Sequence, residues 1–423
     1  MRGARPVSAK NHSANPRPFN SLTGSNLFFL VITRVLASNG APSAMAQSLT
    51  NRDAYIAFNM MEQVGPVRVR NLVEAFGEAR AVLEASETEL ARTPGVGREC
   101  AKSIAAGRTT IDPIAEEKRA NKLGIRLVTF IDDDYPELLK QIHDPPLVLY
   151  VKGTLSPSDR HGLAVVGTRH MTHYGSNIAD VLSYGLAKAG FTVISGLARG
   201  IDTVAHKAAL KAGGRTLAVL GSAIDKLYPA ENADLAEQIA GQGAVISEYP
   251  LGRPPDRQTF PYRNRIVAGM CVGLLIVEAG DKSGAVITAN AALEQGRHVY
   301  AVPGRIDSPA SKGCHVLIKQ GAKLVETIDD IVEDLQLLIP KRIDRQAEAL
   351  RRGPDVSLSP EEVAVVKALA QGELHVDVLA RESGLGAGRL NSLLLGLEMK
   401  RTVRILPGRF VALREGLVPS RVA

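Results

Sequence analysis

Between residues 147 and 325 the chain carries eight short, nearly unbroken apolar runs, most of them separated by stretches of helical periodicity. They are Leu147–Val151, Leu163–Val166, Thr192–Ile194, Thr216–Leu220, Ala244–Ile246, Gly273–Val277, Val299–Val302 and Lys323–Val325. A strand that is apolar on both faces must be covered on both faces. The pattern therefore predicts an α/β fold, with a doubly wound, mostly parallel, Rossmann-like sheet over residues 126–335. Ligands of such sheets sit beyond the carboxyl ends of the strands, so the residues that follow each run carry the functional information.

Those residues are rich in glycine, serine and arginine. Gly167-Thr168-Arg169, Ser195 through Asp202, Gly221-Ser222, Glu278-Ala279-Gly280 followed by Ser283-Gly284-Ala285, and Pro303-Gly304-Arg305 each follow a run. A single glycine turn is ordinary chain reversal. Five at one sheet edge predict an anion site, because glycine admits close backbone approach and helix N-termini supply N–H donors. The sequence lacks a Walker A loop, since Asp281 precedes Lys282-Ser283, and it lacks a dinucleotide Gly-x-Gly-x-x-Gly after the first of these strands. Asp202 and His206 stand four residues apart on one helix face, but no nucleophile or metal constellation accompanies them. A structural pair is expected there, with acid–base chemistry as the alternative. Phe260-Pro261-Tyr262-Arg263-Asn264-Arg265 is the most telling segment in a chain with no Trp and 4% aromatics. Guanidinium forks hold phosphates and aromatic faces stack on unpaired bases. The alternative is a surface loop with snorkelling arginines and a buried Phe260.

Net charge does not decide the matter. Of the formal +7, residues 1–52 contribute six Lys/Arg and no Asp or Glu. The remainder is nearly balanced, so a basic footprint must be local. Three distant cysteines, Cys100, Cys271 and Cys314, exclude a disulfide framework and a Cys-x-x-Cys metal knuckle, and fit buried residues in a reducing compartment. Residues 1–49 read as a disordered or mis-started tail, with Met45 as an alternative start. A basic beginning, the apolar stretch Leu27–Leu36 and Ala44–Ala46 leave an export signal open. That stretch is too short to span a membrane.

Residues 50–125 read as a helical domain capped at Asn51 or Asp53. Two glycine hairpins, Val64–Val67 and Pro94–Gly97, open short helices with basic first turns, Arg68–Phe76 and Arg98–Ala106. Both a helix-hairpin-helix (SAM-like) module on phosphates and a plain packing module fit this pattern. Residues 336–356 form a linker ending in Gly353-Pro354. Residues 357–413 spell a winged helix: Ser359 caps Pro360–Ala370, Val376–Glu382 and Ala387–Met399 follow, and Val403–Leu406 pairs with Phe410–Leu413 around Pro407-Gly408-Arg409. Its recognition helix offers Arg389, Asn391 and Ser392 before Lys400-Arg401, too little charge for strong sequence readout. Residues 414–423 are a tail.

Val165–Arg169, Ser195–Asp202 with His206, Tyr228-Pro229 with Asn232, Ser247–Pro250, Phe260–Ile266, Ser283-Gly284 with Thr288-Ala289, and Val302–Gly304 together resemble the DNA-processing protein A (DprA/Smf) family over about 160 residues. The resemblance is weaker in the flanking domains. It implies a cytoplasmic, homodimeric protein that binds single-stranded DNA, protects incoming strands and helps load the RecA recombinase in natural transformation. It also implies no catalytic turnover, cofactor, metal or membrane partner. Arg169, Arg199, Arg263 and Arg265 would contact phosphates, with Ser195, Gly196 and Gly200 giving backbone access. Phe260, Tyr262 and Asn264 would join the DNA site, and Asp202, His206, Ser283 and Gly284 would support it. Thr168 stands where the family usually has serine, and His315, near its dimerisation surface, where asparagine is common. The strand ends also resemble those of nucleotide-processing phosphoribohydrolases, although their Pro-Gly-Gly-x-Gly-Thr loop is missing. A third reading is a DNA-dependent regulator acting through the winged helix.

Overall fold

The computed structural model describes residues 49–281, 283–336, 359–369, 372–399, 402–406 and 408–413. The expected N-terminal tail through residue 48, the linker beyond residue 336, Lys400-Arg401, Pro407 and the final tail lie outside the described residues.

Six helices come first: α1 (Asn51–Met60), α2 (Pro66–Phe76), α3 (Ala79–Glu84), α4 (Glu87–Arg92), α5 (Arg98–Thr110) and α6 (Pro113–Lys122). The cap of α1 is Thr50, not Asn51 or Asp53. Its hydroxyl accepts from Asp53 N, and the Asp53 carboxylate accepts from Thr50 N at 2.8 Å, a reciprocal capping box. Both α2 and α5 open at a glycine, Gly65 and Gly97, without a side-chain cap.

A nine-stranded sheet follows, built from β1 (Ile125–Thr129), β2 (Val148–Gly153), β3 (Gly162–Val166), β4 (Thr192–Ser195), β5 (Thr216–Val219), β6 (Ala244–Ser247), β7 (Gly273–Ile276), β8 (His298–Ala301) and β9 (Lys323–Leu324). All eight expected runs are strands; β1 is additional. The order is β1-β2-β6-β5-β4-β3-β7-β8-β9. From β6 to β9 every pairing is parallel, whereas β1 and β2 run antiparallel, with Ile125 opposite Lys152 and Tyr150 opposite Ser247. Helices α7 (Glu137–Lys140), α8 (His173–Lys188), α9 (Ile201–Lys211), α10 (Ala233–Gln242), α11 (Thr259–Gly269), α12 (Gly284–Glu294), α13 (Lys312–Lys319) and α14 (Ile328–Gln336) connect and cover the strands.

Two apolar layers bury the parallel strands, one through Ile194, Leu217, Ile246, Leu274 and Ile276, the other through Leu163, Val165, Val193 and Leu275. A third layer joins the helical segment to the sheet, because Ile56, Phe58, Leu72 and Ile104 share one buried cluster with Leu127, Tyr150 and Val245. Tyr150 Oη donates to Glu116 Oε1 at 3.1 Å, and the same oxygen accepts from Leu251 N at 2.9 Å. The three cysteines are free and buried.

The C-terminal unit has its own core. Helices α15 (Pro360–Ala368), α16 (Val376–Ser383) and α17 (Ala387–Met399) pack with β10 (Leu374–His375), β11 (Val403–Leu406) and β12 (Phe410–Leu413) around Val365, Leu379, Leu390, Leu394 and Val411. Arg389 of the recognition helix is ion-paired to Glu361 at 2.7 Å. Among the described residues no helix is long and apolar enough to cross a membrane.

Candidate nucleic-acid interface

After β3 the chain builds β4, β5 and β6 on one side, then crosses to β7, β8 and β9 on the other. That reversal places a switch point beside β3, where loops diverge and leave a crevice. A cleft of about 740 Å³ lies there, lined by Gly167 to His170, Gly196, Asp202, Tyr228, Arg257, Phe260, Arg263, Asn264 and the start of α12.

Buried carboxylates hold the loops around it. Glu278 accepts from Thr172 Oγ1 at 2.7 Å and Thr172 N at 2.9 Å, and its carbonyl takes Thr168 N at 2.7 Å. Asp202 Oδ2 accepts from Gly196 N at 3.1 Å and Ala198 N at 3.4 Å. Burial raises the Asp202 pKa, opposed by the charge of Arg263. Arg263 is itself buried; it donates through Nη1 to Gly196 O at 2.7 Å and to Val219 O, and through Nε to Asn264 Oδ1 at 3.2 Å. Ser195 Oγ donates to Val165 O at 2.6 Å from a fully buried position.

His206 is also fully buried. Its Nδ1 lies 2.7 Å from Thr216 Oγ1, whose hydroxyl donates to Val193 O. Nδ1 therefore carries the ring proton, and burial lowers the imidazole pKa to about 3, keeping it neutral. Asp202 accepts two backbone amides and His206 Nδ1 is bonded to Thr216, while the buried His206 Nε2 has no hydrogen-bond partner.

The strand-end glycines have a different reason from the one the sequence suggested. A Cβ on Gly196 would fall 2.4 Å from the Arg263 guanidinium, and one on Gly221 2.7 Å from the Phe260 ring. Gly200 has φ +79°, and its Cβ would meet Thr168 O at 2.2 Å. These glycines let protein approach protein, and the Gly196 N–H is already taken by Asp202. Gly284 differs: nothing lies within 4 Å of its Cβ position. It opens α12 behind the Ser283 cap, at the cleft.

Two neighbouring aromatic rings on the rim are flanked by a cation at each end. Arg169 is exposed with its guanidinium 5.4 Å from the Phe260 ring centre; Phe260 and Tyr228 lie 5.7 Å apart; Arg199 sits 5.8 Å over Tyr228. Arg199 also forks onto Glu231, with both contacts at 2.8 Å. Arg257, exposed on the preceding loop, completes the lining. Sequence reasoning missed it, because Asp256 and two prolines beside it read as plain loop.

The expected grip of Arg263 and Arg265 on one phosphate chain is corrected by the helix. Residues 259–269 form α11, and two positions along a helix turn about 200°. Phe260, Arg263, Asn264 and Val267 face the cleft at helical spacing. Arg265 points to the far side, where Nη2 meets Glu248 Oε2 at 2.7 Å and Nε meets Asp144 Oδ2 at 3.0 Å. Its guanidinium lies 4.1 Å from the Tyr262 ring centre. Both guanidinium groups are buried and held by protein partners.

A family model described as DNA recombination-mediator protein A matches residues 126–336. Two others match at the flanks: a SAM-like helix-hairpin-helix tandem at 58–107 and a DprA winged helix domain at 350–409. Protein Smf of Synechocystis is 34% identical over 386 residues, covering 84% of this chain and 96% of that protein. The chain belongs to the DprA/Smf family. DNA processing protein DprA of Streptococcus pneumoniae is 42% identical over 208 residues, covering 49% of this chain and 73% of that one. An X-ray structure of DprA from the same species superposes with a TM-score of 0.60 at 33% identity, over 67% of this chain and 98% of that chain. The three matched regions correspond to the helical segment, the mostly parallel sheet and the winged helix found here.

Proposed function

We propose that this DprA/Smf protein binds unpaired DNA along the cleft beside β3, and that it serves DNA processing in transformation by protecting incoming strands and helping to load RecA. The observation that carries this reading is the rim order Arg169, Phe260, Tyr228, Arg199. A pair of rings flanked by cations suits a strand whose phosphates and bases both need partners, and a duplex hides its base faces. The α12 N-terminus at Ser283-Gly284 adds unshared amide groups and a partial positive charge to the same cleft.

Binding without turnover is part of the proposal. Asp202 and His206, the acid–base candidates, are buried, with Asp202 holding the Gly196 and Ala198 amides and His206 Nδ1 bonded to Thr216. Dimeric assembly and a cytoplasmic location belong to the same proposal. The deciding experiment is a gel shift with single- and double-stranded oligonucleotides of one sequence across a salt series. Phosphate contacts from Arg169 and Arg257 give a log–log salt slope of about −1.4 for single strands. Equal affinity for duplex, or release of free base from nucleoside monophosphates at enzymatic rates, overturns the reading.

A further inference from the structure

A second cleft, of about 580 Å³, lies on the opposite side of α11. Pro261 lines both clefts, so the two meet across the first turn of that helix. The second is walled by Gln141, His143 and Asp144 on one side and by Glu294, Gln295 and Arg297 on the other, with Tyr262 and Arg265 from α11. The established parts of the fold make no use of it.

Its chemistry differs from that of the first. Arg265 is neutralised by Glu248 and Asp144, and Arg297 faces a lining that also holds Glu294. No excess positive charge remains for a phosphate. What remains is an aromatic surface and hydrogen-bonding groups in a lining whose charges balance. Tyr262 is 44% exposed, and Arg265 braces its ring at 4.1 Å from the ring centre. A ring braced in this way is already ordered, so stacking on it costs little side-chain entropy. On three residues that line the same cleft, Arg265 Nη1, Arg297 Nε and Gln295 Oε1 are buried and lack a hydrogen-bond partner, two donors and one acceptor. Gln295 is fixed by its other end, with Nε2 donating to Arg265 O at 3.1 Å.

We infer that this cleft is a nucleobase site: a strand held by its phosphates at the first cleft crosses α11 at Pro261 and places an unpaired base on Tyr262. The inference rests on the reading of the first cleft and adds a separate subsite to it. Phosphates stay with Arg169 and Arg257, while the second cleft takes a flat, uncharged, hydrogen-bonding group.

The test is a cycle between the Tyr262→Ala variant and oligothymidylates carrying one abasic residue at successive positions, read as single-strand affinity of the full-length protein. With the wild type, one abasic position weakens binding roughly tenfold, the loss of a stacked base. With Tyr262→Ala, the parent oligonucleotide is already weakened by that factor and the abasic residue at that position has no further effect. An abasic scan that is the same in both proteins overturns the inference. A photocross-link from 5-iododeoxyuridine gives an independent readout: an adduct on Tyr262 supports the site, and adducts confined to Phe260 and Tyr228 refute it. Arg169→Ala separates the two levels. If it leaves single-strand affinity unchanged, the first cleft is misassigned; if it weakens binding while the Tyr262 cycle shows no coupling, only the second site fails.

Discussion

Arg169 and Arg263 are both arginines beside one cleft, yet their surroundings give them opposite work. Arg169 is exposed on the Phe260 ring, and Arg263 is buried against Gly196 O and Val219 O. Arg169→Ala is expected to lower single-strand affinity about tenfold, make the salt slope shallower by about 0.7, and leave stability within about 0.5 kcal/mol; salt-dependent anisotropy and urea unfolding check the three together. Gly196→Ala should do the reverse. Its new Cβ falls on the Arg263 guanidinium, so urea unfolding should register about 1–3 kcal/mol of lost stability. A stable Gly196→Ala protein that fails only in DNA binding would show that the glycine serves the ligand after all. His206 supplies a pH signature. Its folded pKa is depressed to about 3 from 6.5, so the unfolded chain takes up a proton first as pH falls. Its contribution is fully present above pH 6.5 and is lost on acidification towards pH 3, at about 1.4 kcal/mol per pH unit. Below pH 6.5 the stability of the wild type should fall with that extra slope relative to His206→Gln, and above pH 7 the two should differ by a constant offset; parallel profiles through the acid range count against a buried neutral imidazole. Residue types at the strand ends were legible in the sequence. Which way each faces was not, because a glycine that admits a phosphate and one that admits a guanidinium are spelled alike.

Helix α11 shows the same limit one level up. Read as a string, Arg263-Asn264-Arg265 puts two cations side by side. Wound at 3.6 residues per turn, it sends one to each flank of the helix. The sequence hid the helix because Pro261 sits in its first turn and polar residues occupy its buried faces; burial reaches both arginines and Asn264. Arg265→Ala strips the partner from Glu248, a carboxylate only 8% exposed, and is expected to cost about 3–5 kcal/mol in urea unfolding. Equal loss in Arg169→Ala and Arg265→Ala would contradict this division of labour. Strands fared better: every buried parallel strand announced itself as an unbroken apolar run. Strand β1 did not, because Arg126 interrupts Ile-Arg-Leu-Val-Thr and the strand follows α6 after only a short turn at Gly124.

At the scale of the molecule, the winged helix has a core of its own, whereas the helical segment does not. Calorimetry on the full-length protein should therefore resolve one transition for residues 49–336 and a separate one for the winged helix. A truncation beginning at residue 125 should lose the first transition, since it uncovers Leu127 and Tyr150. A sequence reader sees a composition change near residue 125 and draws a boundary there, because segment borders are written in turns and proline while shared cores are written in distant apolar pairs. The common core has a mechanical consequence. Arg52 is tied to Glu117 and Asp132, and Asn59 donates to Glu248 O, the residue whose carboxylate anchors Arg265. The front helices thus cannot swing as a hinged arm. Whatever docks on their outer surface is held at a fixed bearing to the strand path, like a jig bolted to its bench.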